Sequence, residues 1–523
     1  MAVRRVPWLA GMLLAWMPLA LAQPKPAPPA PRFEIRSFVV QGNTLLPKAE
    51  VERVVAPFTG AGKDFGSVQQ ALEALQEAYL ARGYNAVRVS VPEQDLVGGQ
   101  VRLQVVEARV RAVRVEQNLY FDEANVRASM PTLRAGEAPN TRRIGENVQL
   151  VNENPAKQVT VRLESTDQIG ALDAVVRVND AKPGRFTTFI DNTGEPQTGQ
   201  LRAGFGYQHA NLWNRDHVLS AQLVTSPTEA SNVGIFGVGY RAPLYGWKSA
   251  LDLIAGYSDV DSGTVQNLFT VSGKGSIFGA RYTQILPRIE AYEQTVSLGL
   301  DYRAFDQHVA LVGTSETLLP EITVRPLSLA YTGRHSRVGS DLSFSVAASR
   351  NIPGSGAAGK DAFEAQRPGA DPSYTIVRAA ATWSYILPRD YLLRTAGNLQ
   401  YTGDLLVPGE QLGLGGADNV RGFYEREIAF DEGWRLSVEL YTPDFGPRDW
   451  RVRALTFVDG GRGTDNAPER NLDDSIASAG LGLRVNRGRT LFLRADWGYV
   501  FNGSTATREK GADRFHVALG YSF

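Results

Sequence analysis

The chain has 523 residues, of which 55 are basic and 55 acidic, so its formal net charge is zero and its sequence pI is about 7.0. That balance gives no reason to expect nucleic acid or an acidic polymer as a partner, and the length predicts more than one domain. Because the sequence has no cysteine, packing and backbone pairing must hold the fold together, and a closed β-barrel meets that requirement well.

The first 22 residues have the pattern of a secretory signal peptide. Two arginines precede an apolar run that ends at Leu21, and Ala20-Leu21-Ala22 is a small-residue cleavage site. A retained membrane anchor is the alternative, but the run is shorter than the roughly 20 residues that a spanning helix needs. We therefore predict a signal peptide over residues 1–22, followed by a proline-rich linker, QPKPAPPAPR, over residues 23–32.

Residues 33–110 are predicted to form a small α+β domain in the order strand, two helices, two strands. FEIRSFVVQGN is typical of a strand that ends in a turn, and Pro47 opens a helix at its permitted first turn. Gly83 is placed to end the second helix. One face of that helix carries Val68, Ala71, Leu72, Leu75 and Tyr79. YNAVRVSV and GQVRLQVVEARV alternate as strands do.

Residues 111–181 repeat the same plan more loosely. RAVRVEQN begins this segment, and an apolar-periodic helix follows near Glu123 to Met130. KQVTVRLES and LDAVVRVND then have the alternation of two paired strands. The repeat predicts a second α+β domain.

Residues 183–523 lack helical periodicity and consist of alternating segments. In the last segment the apolar face is formed by Phe515, Val517, Leu519, Tyr521 and Phe523. In WRLSVELY the apolar residues alternate with Arg435, Ser437 and Glu439. A soluble β-sandwich could also alternate, but here one face is purely apolar and aromatic while the other carries charge. A lipid-facing wall around a wet lumen requires that pattern.

The segment boundaries predict a transmembrane β-barrel of sixteen antiparallel strands. Their expected ranges are 184–194, 198–210, 215–226, 231–243, 246–258, 264–286, 291–306, 319–333, 337–350, 374–387, 391–404, 433–443, 451–460, 476–487, 490–501 and 513–523. The sixth strand could be split at Gly273 to Gly275, but the even number of strands in bacterial barrels favours keeping it whole.

The connections between these strands alternate in length. Odd-numbered connections are mostly long, such as 351–373 and 405–432, whereas even-numbered ones are tight, such as PRDY and NRGR. Outer-membrane barrels have short periplasmic turns and longer outside loops. The asymmetry therefore places both chain ends, and with them the two α+β domains, in the periplasm.

One long connection contains GGADNVRGFYERE, residues 415–427. An exposed, glycine-rich surface loop would explain the glycines but not the cluster VRGF. The segment lacks the lysine and the Ser/Thr of a phosphate-binding loop, and the five histidines of the chain have no metal-ligand spacing. We therefore expect no catalytic site, no metal and no cofactor.

The chain resembles the two-partner secretion transporters of the hemolysin-activator type over nearly its whole mature length. The matching segments are VVQGNTLLP, VPEQDLVGGQVRLQVVEARV, DNTGEPQTGQLRAGFGYQHANLWNRD, NVRGF and FVDGG. The resemblance implies an outer-membrane β-barrel of sixteen antiparallel strands, preceded by two periplasmic POTRA domains at residues 33–110 and 111–181.

The resemblance also implies two paired motifs. The family motif V-R-G-F/Y matches Val420, Arg421, Gly422 and Phe423, and its partner motif F-x-D-x-G matches Phe457, Asp459 and Gly461. In the family, the loop that carries the first motif folds back into the barrel, and its arginine pairs with the aspartate on the inner wall.

The residues themselves agree with that pairing. Alternation in the thirteenth strand puts Asp459 on the lumen side if Val452 and Val458 meet lipid. A guanidinium can bind this carboxylate through two hydrogen bonds, and a glycine-rich loop can bend far enough to bring Arg421 there. Glu439 and Asp496 are rival acidic partners on the same side.

The function that the resemblance implies is protein secretion. POTRA domains capture the N-terminal secretion domain of an unfolded, β-rich exoprotein of the adhesin or hemolysin type, and a monomeric barrel in outer-membrane lipid passes it to the surface. We expect the C-terminal strand, Phe515 to Phe523, to be the signal for insertion by the barrel-assembly machinery. An insertase of outer-membrane proteins is the alternative from the same superfamily. A passive porin is the third hypothesis, which periplasmic domains disfavour.

Overall fold

The computed structural model describes residues 31–195, 199–230, 233–259, 263–265, 269–271, 274–305, 321–467, 473–503 and 509–523. The predicted signal peptide, and the predicted linker up to residue 30, lie outside the described residues. The chain divides into two compact units, of which one contains residues up to 79 together with 87–106. The other contains residues 80–86 together with the chain from 107 to its end.

The first α+β domain contains five strands and two helices. They are β1 (Phe33–Ile35), β2 (Ser37–Gln41), α1 (Lys48–Val55), β3 (Gly60–Lys63), α2 (Phe65–Ala81), β4 (Val87–Ser90) and β5 (Gln100–Glu107). The main sheet has the order β2-β5-β4, so β2 and β4 are its edge strands. A separate pair is formed by β1 and β3.

Helix α2 has the face that the sequence predicts. Val68, Ala71, Leu75 and Tyr79 are buried on it, and they lie in a core that also contains Ile35 and Leu103. Three expectations for this region were wrong. FEIRSFVVQGN forms two strands rather than one, because β1 pairs with β3 and β2 pairs with β5. The sequence pattern missed β3, which has three small residues in GAGK. The strand predicted from GQVRLQVVEARV ends at Glu107, and only Ala108 separates it from the next strand.

The second α+β domain has the same order with two helices between its first and second strands. Its elements are β6 (Arg109–Glu116), α3 (Glu123–Ser129), α4 (Thr141–Val151), β7 (Lys157–Ser165) and β8 (Ala171–Asp180). The sheet order is β6-β8-β7, with β6 parallel and β7 antiparallel to β8. The sequence pattern missed α4 because its buried face includes Glu146 and Asn147, which interrupt the apolar period.

The described residues from 184 onward form strands and one α-helix. They are β9 (Gly184–Asp191), β10 (Arg202–Leu212), β11 (His217–Thr225), β12 (Gly234–Leu244), β13 (Ser249–Ser258), β14 (Gly263–Val265), β15 (Phe269–Val271), β16 (Gly275–Ile285), β17 (Tyr292–Phe305), β18 (Ile322–Val324), β19 (Pro326–Arg337), β20 (Ser340–Asn351), α5 (Lys360–Gln366), β21 (Thr375–Ile386), β22 (Leu392–Tyr401), β23 (Leu412–Leu414), β24 (Ile428–Phe430), β25 (Glu432–Tyr441), β26 (Trp450–Thr464), β27 (Asp473–Arg487), β28 (Leu491–Asn502) and β29 (Asp513–Ser522).

These strands close into an antiparallel barrel in which β29 pairs with β9. Two separate hairpins, β14–β15 and β23–β24, stand outside its hydrogen-bonded order. Strands β18 and β19 both pair with β17 and are separated only by Arg325, so they are two parts of one strand. The barrel therefore has sixteen strands, which confirms the predicted fold class. Among the described residues, no helix combines the length and the apolar character that crossing a membrane would need.

The two faces of the barrel wall differ as the alternation predicts. In β29, Phe515, Val517, Leu519 and Tyr521 are exposed on the outside, whereas the alternate residues His516 and Ser522 are buried. In β26, the side chain of Val458 is 53% exposed and that of Asp459 is fully buried. Apolar side chains thus face outward and polar ones face the interior.

Two predicted strands are interrupted in the structure, and others differ by a few residues at their ends. The expected sixth strand, 264–286, was wrong as a continuous strand. Its barrel part begins at Gly275, which pairs with Ser258 at the end of β13. The short strands β14 and β15 pair with each other outside the barrel. The eighth strand is interrupted at Arg325 and continues to Arg337.

Candidate functional site

The candidate site is built by the connection between β22 and β25, residues 402–431, which we call the inner loop. Within it, β23 and β24 pair as a small hairpin. The tip between these two strands contains the VRGF motif. The contacts of the tip are with strands β25 to β29 of the barrel wall.

Arg421 is buried against the inner wall and binds two carboxylates. Its Nε and Nη2 donate to the two oxygens of Asp459 at 2.7 and 2.8 Å, and its backbone N–H donates to Asp459 at 3.1 Å. Its Nη1 donates to Oε1 of Glu439 at 2.8 Å. A bidentate, charge-assisted contact is the strongest geometry between an arginine and a carboxylate.

Strand register places these acceptors side by side. Asp459 on β26 lies directly opposite Ser437 on β25, and Glu439 follows Ser437 by two residues on the same face. The hydroxyl of Ser437 accepts from Nη2 of Arg421 at 3.2 Å. Because side chains alternate along a strand, the sequence positions of Ser437, Glu439 and Asp459 are enough to put all three on the inner wall.

The charges around Arg421 form a network. Asp496 on β28 lies 3.7 Å from Nη1 of Arg421, and it accepts from Arg484 at 2.7 Å and from Arg494 at 2.8 Å. Arg494 also contacts the carboxylate of Asp418 in the inner loop. Buried charges are tolerated in a protein when each one has a partner of opposite sign.

Two further contacts of the motif involve aromatic rings. The guanidinium carbon of Arg421 lies 3.4 Å from the ring centre of Phe457, a cation–π contact. The backbone N–H of Gly422 donates to Nε2 of His516 on β29 at 3.0 Å, so this nitrogen carries no proton. Gly422 has φ = +97°, and a Cβ atom there would lie 3.2 Å from the carbonyl oxygen of Gly498. A glycine suits both conditions.

The apolar residues of the motif pack into the wall. Val420 and Phe423 are buried in a cluster with Ile476 and Val500 of the barrel. At Gly461, an added Cβ would lie 2.9 Å from a methyl carbon of Leu414. The glycine of the F-x-D-x-G motif therefore allows the inner loop to approach β26 closely.

The base of the inner loop is also held. Asp431 is buried, and its carboxylate accepts a hydrogen bond at 2.8 Å from Arg367, which follows α5. The same carboxylate accepts from the backbone N–H of Leu406 at 3.1 Å. Glu410 accepts from Arg303 on β17 at 2.5 Å. The inner loop thus has ionic contacts at its base as well as at its tip.

The predicted C-terminal residues lie apart from this site. Phe515, Val517, Leu519 and Tyr521 are on the outer face of β29, and Phe523 follows it. The backbone of Phe523 exchanges two hydrogen bonds with Phe186, at 2.9 and 3.0 Å, beside the closing pair of strands.

The structure brings the VRGF and F-x-D-x-G residues together, and it places Glu439 beside Asp459 as a second acceptor rather than a rival. Asp496 is a more distant neighbour. The sequence did not predict the contact of His516 with Gly422, although alternation in the last strand puts His516 on the lumen face. Within the part of the chain that the structure describes, no three acidic or histidine side chains are grouped as metal ligands would be.

Two family models match the sequence. A model described as haemolysin secretion/activation protein ShlB/FhaC/HecB matches residues 170–485. A second, described as POTRA domain, ShlB-type, matches residues 33–108.

Individual relatives agree with these matches. The chain is 26% identical over 478 residues to the outer membrane transporter CdiB of Escherichia coli O6:K15:H31, with 88% of this chain and 77% of the relative covered. It is 20% identical over 449 residues to the heme/hemopexin transporter protein HuxB of Haemophilus influenzae, with 84% of this chain and 78% of the relative covered. A solved structure of CdiB from Escherichia coli superposes with a TM-score of 0.78 at 21% identity, covering 97% of this chain and 94% of that one.

Proposed function

This chain belongs to the ShlB/FhaC/HecB family of haemolysin secretion and activation proteins, and from that premise we propose that it captures an unfolded, β-rich exoprotein in the periplasm and secretes it through the barrel, with the inner loop closing the barrel between substrates. It is an outer-membrane transporter of the two-partner secretion type, with POTRA domains in the periplasm. Its family is one of transporters, not of enzymes.

The attachment of Arg421 carries this proposal. The tip of the inner loop contacts β25 and β26 through Arg421, and β29 through Gly422. A polypeptide that passes through the barrel needs the volume that the loop now occupies. The loop must therefore be released for transport, and the bonds of Arg421 set how readily it is released.

Capture is assigned to the first α+β domain. Strand β2 is an edge strand, and Phe38 and Val40 on it are only half-buried. Helix α2 begins with the exposed Phe65, whose ring lies 5.3 Å from that of Phe33 in β1. An edge strand can bind the backbone of an added strand, whatever its side chains, and adjacent apolar groups add affinity. These features suit the N-terminal secretion domain of an exoprotein as the partner.

Deleting residues 33–110 tests the capture step. Binding of the secretion domain of the exoprotein to the purified protein in detergent should be abolished. The barrel of the deletion variant should still show a heat-dependent shift on gels, which controls for folding. Equal binding by the barrel alone would refute capture by this domain.

We also propose that the C-terminal strand is read by the barrel-assembly machinery. Its exposed residues, Phe515, Val517, Leu519, Tyr521 and Phe523, form an unbroken apolar row on the outer face. Removing Phe523 should lower the amount of barrel in the outer membrane, measured by immunoblot of the membrane fraction. Val338→Ala, in the turn between β19 and β20, is the control, because Val338 is fully exposed and the length of the turn is kept. Unchanged levels after loss of Phe523 would contradict this role.

A further inference from the structure

A short loop of the second α+β domain lies at the edge that faces the barrel. This contact loop, residues 117–122, follows β6. Strands β6 and β8 are parallel, with Glu116 opposite Arg177, so both strands end at the same edge of the sheet. Because β8 ends at Asp180 and the barrel begins at Gly184, that edge is the one next to the membrane.

Backbone hydrogen bonds fix the contact loop so that Leu119 and Tyr120 point outward. The carboxylate of Asp180 accepts from the backbone N–H groups of Leu119, Tyr120 and Phe121 at 3.0, 2.8 and 2.9 Å. Phe121 is buried in the core of the domain, whereas Leu119 is 80% and Tyr120 47% exposed. Two adjacent apolar side chains are thus presented on a fixed backbone.

The contact loop is joined to a barrel turn that also exposes an aromatic side chain. The carboxylate of Asp122 accepts from Asn214 at 2.8 Å, in the turn between β10 and β11. Trp213 in this turn is 73% exposed, and Trp247 in the turn between β12 and β13 is 71% exposed. Tryptophan and tyrosine at the ends of membrane-spanning segments lie at the level of the lipid headgroups.

We infer that Leu119 and Tyr120 insert into the periplasmic headgroup region of the outer membrane, so that the second α+β domain rests on lipid. Lipid is the partner that covers these side chains, because the same edge of the barrel surface carries the exposed rings of Phe186 and Phe523. These two rings stack with 5.6 Å between their centres. Exposed Lys182 and Arg215 at this edge suit lipid phosphates. A leucine beside a tyrosine matches the apolar and polar sides of that interface.

Quenching of a single label tests this inference. The chain has no cysteine, so Leu119→Cys provides one thiol for an environment-sensitive fluorophore in the full-length protein. Ile169→Cys is the matched control, because Ile169 is 90% exposed and lies between β7 and β8 at the opposite edge of the same domain. Both proteins are placed in nanodiscs of phosphatidylethanolamine and phosphatidylglycerol that contain lipids with a nitroxide near the headgroup.

At position 119, quenching by the nitroxide lipid should be about threefold or more stronger than at position 169, and quenching by aqueous iodide should be correspondingly weaker. Equal access of iodide to both labels would overturn the inference. A label at 119 that neither quencher reaches would also overturn it, because protein rather than lipid would then cover the loop. A heat-dependent gel shift of both variants controls for folding.

Discussion

Two buried ion pairs hold parts of this molecule together, and they are built from different cations. Between the second α+β domain and the barrel, Nζ of Lys157 lies 2.6 Å from Asp216, and Asn125 accepts from the same ammonium at 2.7 Å. At the inner loop, the guanidinium of Arg421 binds Asp459 and Glu439. An ammonium is a point charge that can be enclosed, whereas a guanidinium is a planar fork that can join two acids.

The surroundings of the two pairs differ even more than the cations do. Burial lowers the pKa of Lys157 although Asp216 opposes the shift, so removal from water outweighs the attraction within the pair. The Arg421 pair instead borders a cavity of about 360 Å³, which Arg394 and Glu439 also line. Water in this cavity can solvate the charges when they separate. The comparison indicates a permanent joint at Lys157 and a releasable one at Arg421.

The largest effect is expected from breaking the joint between the domain and the barrel. Lys157→Met leaves the buried carboxylate of Asp216 without its cation, at a cost of about 3–5 kcal/mol. The second α+β domain should then separate from the barrel turns and be cleaved by trypsin between the two. The rate of cleavage in isolated outer membranes measures this.

Two further variants sharpen the first result. Lys157→Met combined with Asp216→Asn removes both charges and should be less damaging than the single change. Arg114→Ala, which breaks the exposed pair of Arg114 with Glu164, should leave the cleavage rate unchanged. If the double variant is cleaved faster than the single one, the joint does not depend on charge pairing.

The second prediction concerns release of the inner loop. Arg421→Ala and Asp459→Ala should each weaken its attachment by about 2 kcal/mol, less than at the junction because water solvates the remaining charge. That corresponds to about a 30-fold rise in the ratio of open to closed barrels. Open probability in planar bilayers measures this ratio.

The double variant decides whether these residues act as one unit. Residues in contact are not additive, so Arg421→Ala with Asp459→Ala should open the barrel little more than either single change. The matched control is Arg462→Ala, which lies on β26 like Asp459 and breaks an exposed ion pair with Asp473. Effects that multiply in the double variant would make Glu439 the principal acceptor, and Glu439→Gln would then be tested next.

Much of the barrel could be predicted from the sequence because one physical rule governs every strand. Lipid outside and polar groups inside force alternation, so β29 and β26 could be assigned to faces before any contact was known. The prediction of the sixth strand was wrong because GTV and FTV have the composition of strands, whether or not they belong to the barrel. Only their pairing with each other shows that they lie outside it.

The site was predicted less completely for a related reason. Alternation puts Glu439, Asp459, Asp496 and His516 on the inner wall, but it does not give the path of the inner loop. That path depends on close packing, such as Leu414 against Gly461. Helix α4 illustrates another limit, because Asn147 is buried there through a hydrogen bond from Thr132 at 2.6 Å, a contact that periodicity does not register.

The smallest effect is expected from a change at His516. It tests whether the tip of the inner loop is held by a hydrogen bond as well as by the ion pair. His516→Ala removes the acceptor of the Gly422 N–H and leaves the pair of Arg421 with Asp459 in place. Loss of one such hydrogen bond costs about 1 kcal/mol, so the open probability in planar bilayers should rise about fivefold. His516→Gln keeps an acceptor oxygen and should open the barrel less than His516→Ala does. Phe515→Ala, on the outer face of the same strand, should have no effect. If His516→Ala opens the barrel as widely as Arg421→Ala, the ion pair does not dominate the attachment, and the distinction between an enclosed joint and a charge-held, releasable loop fails.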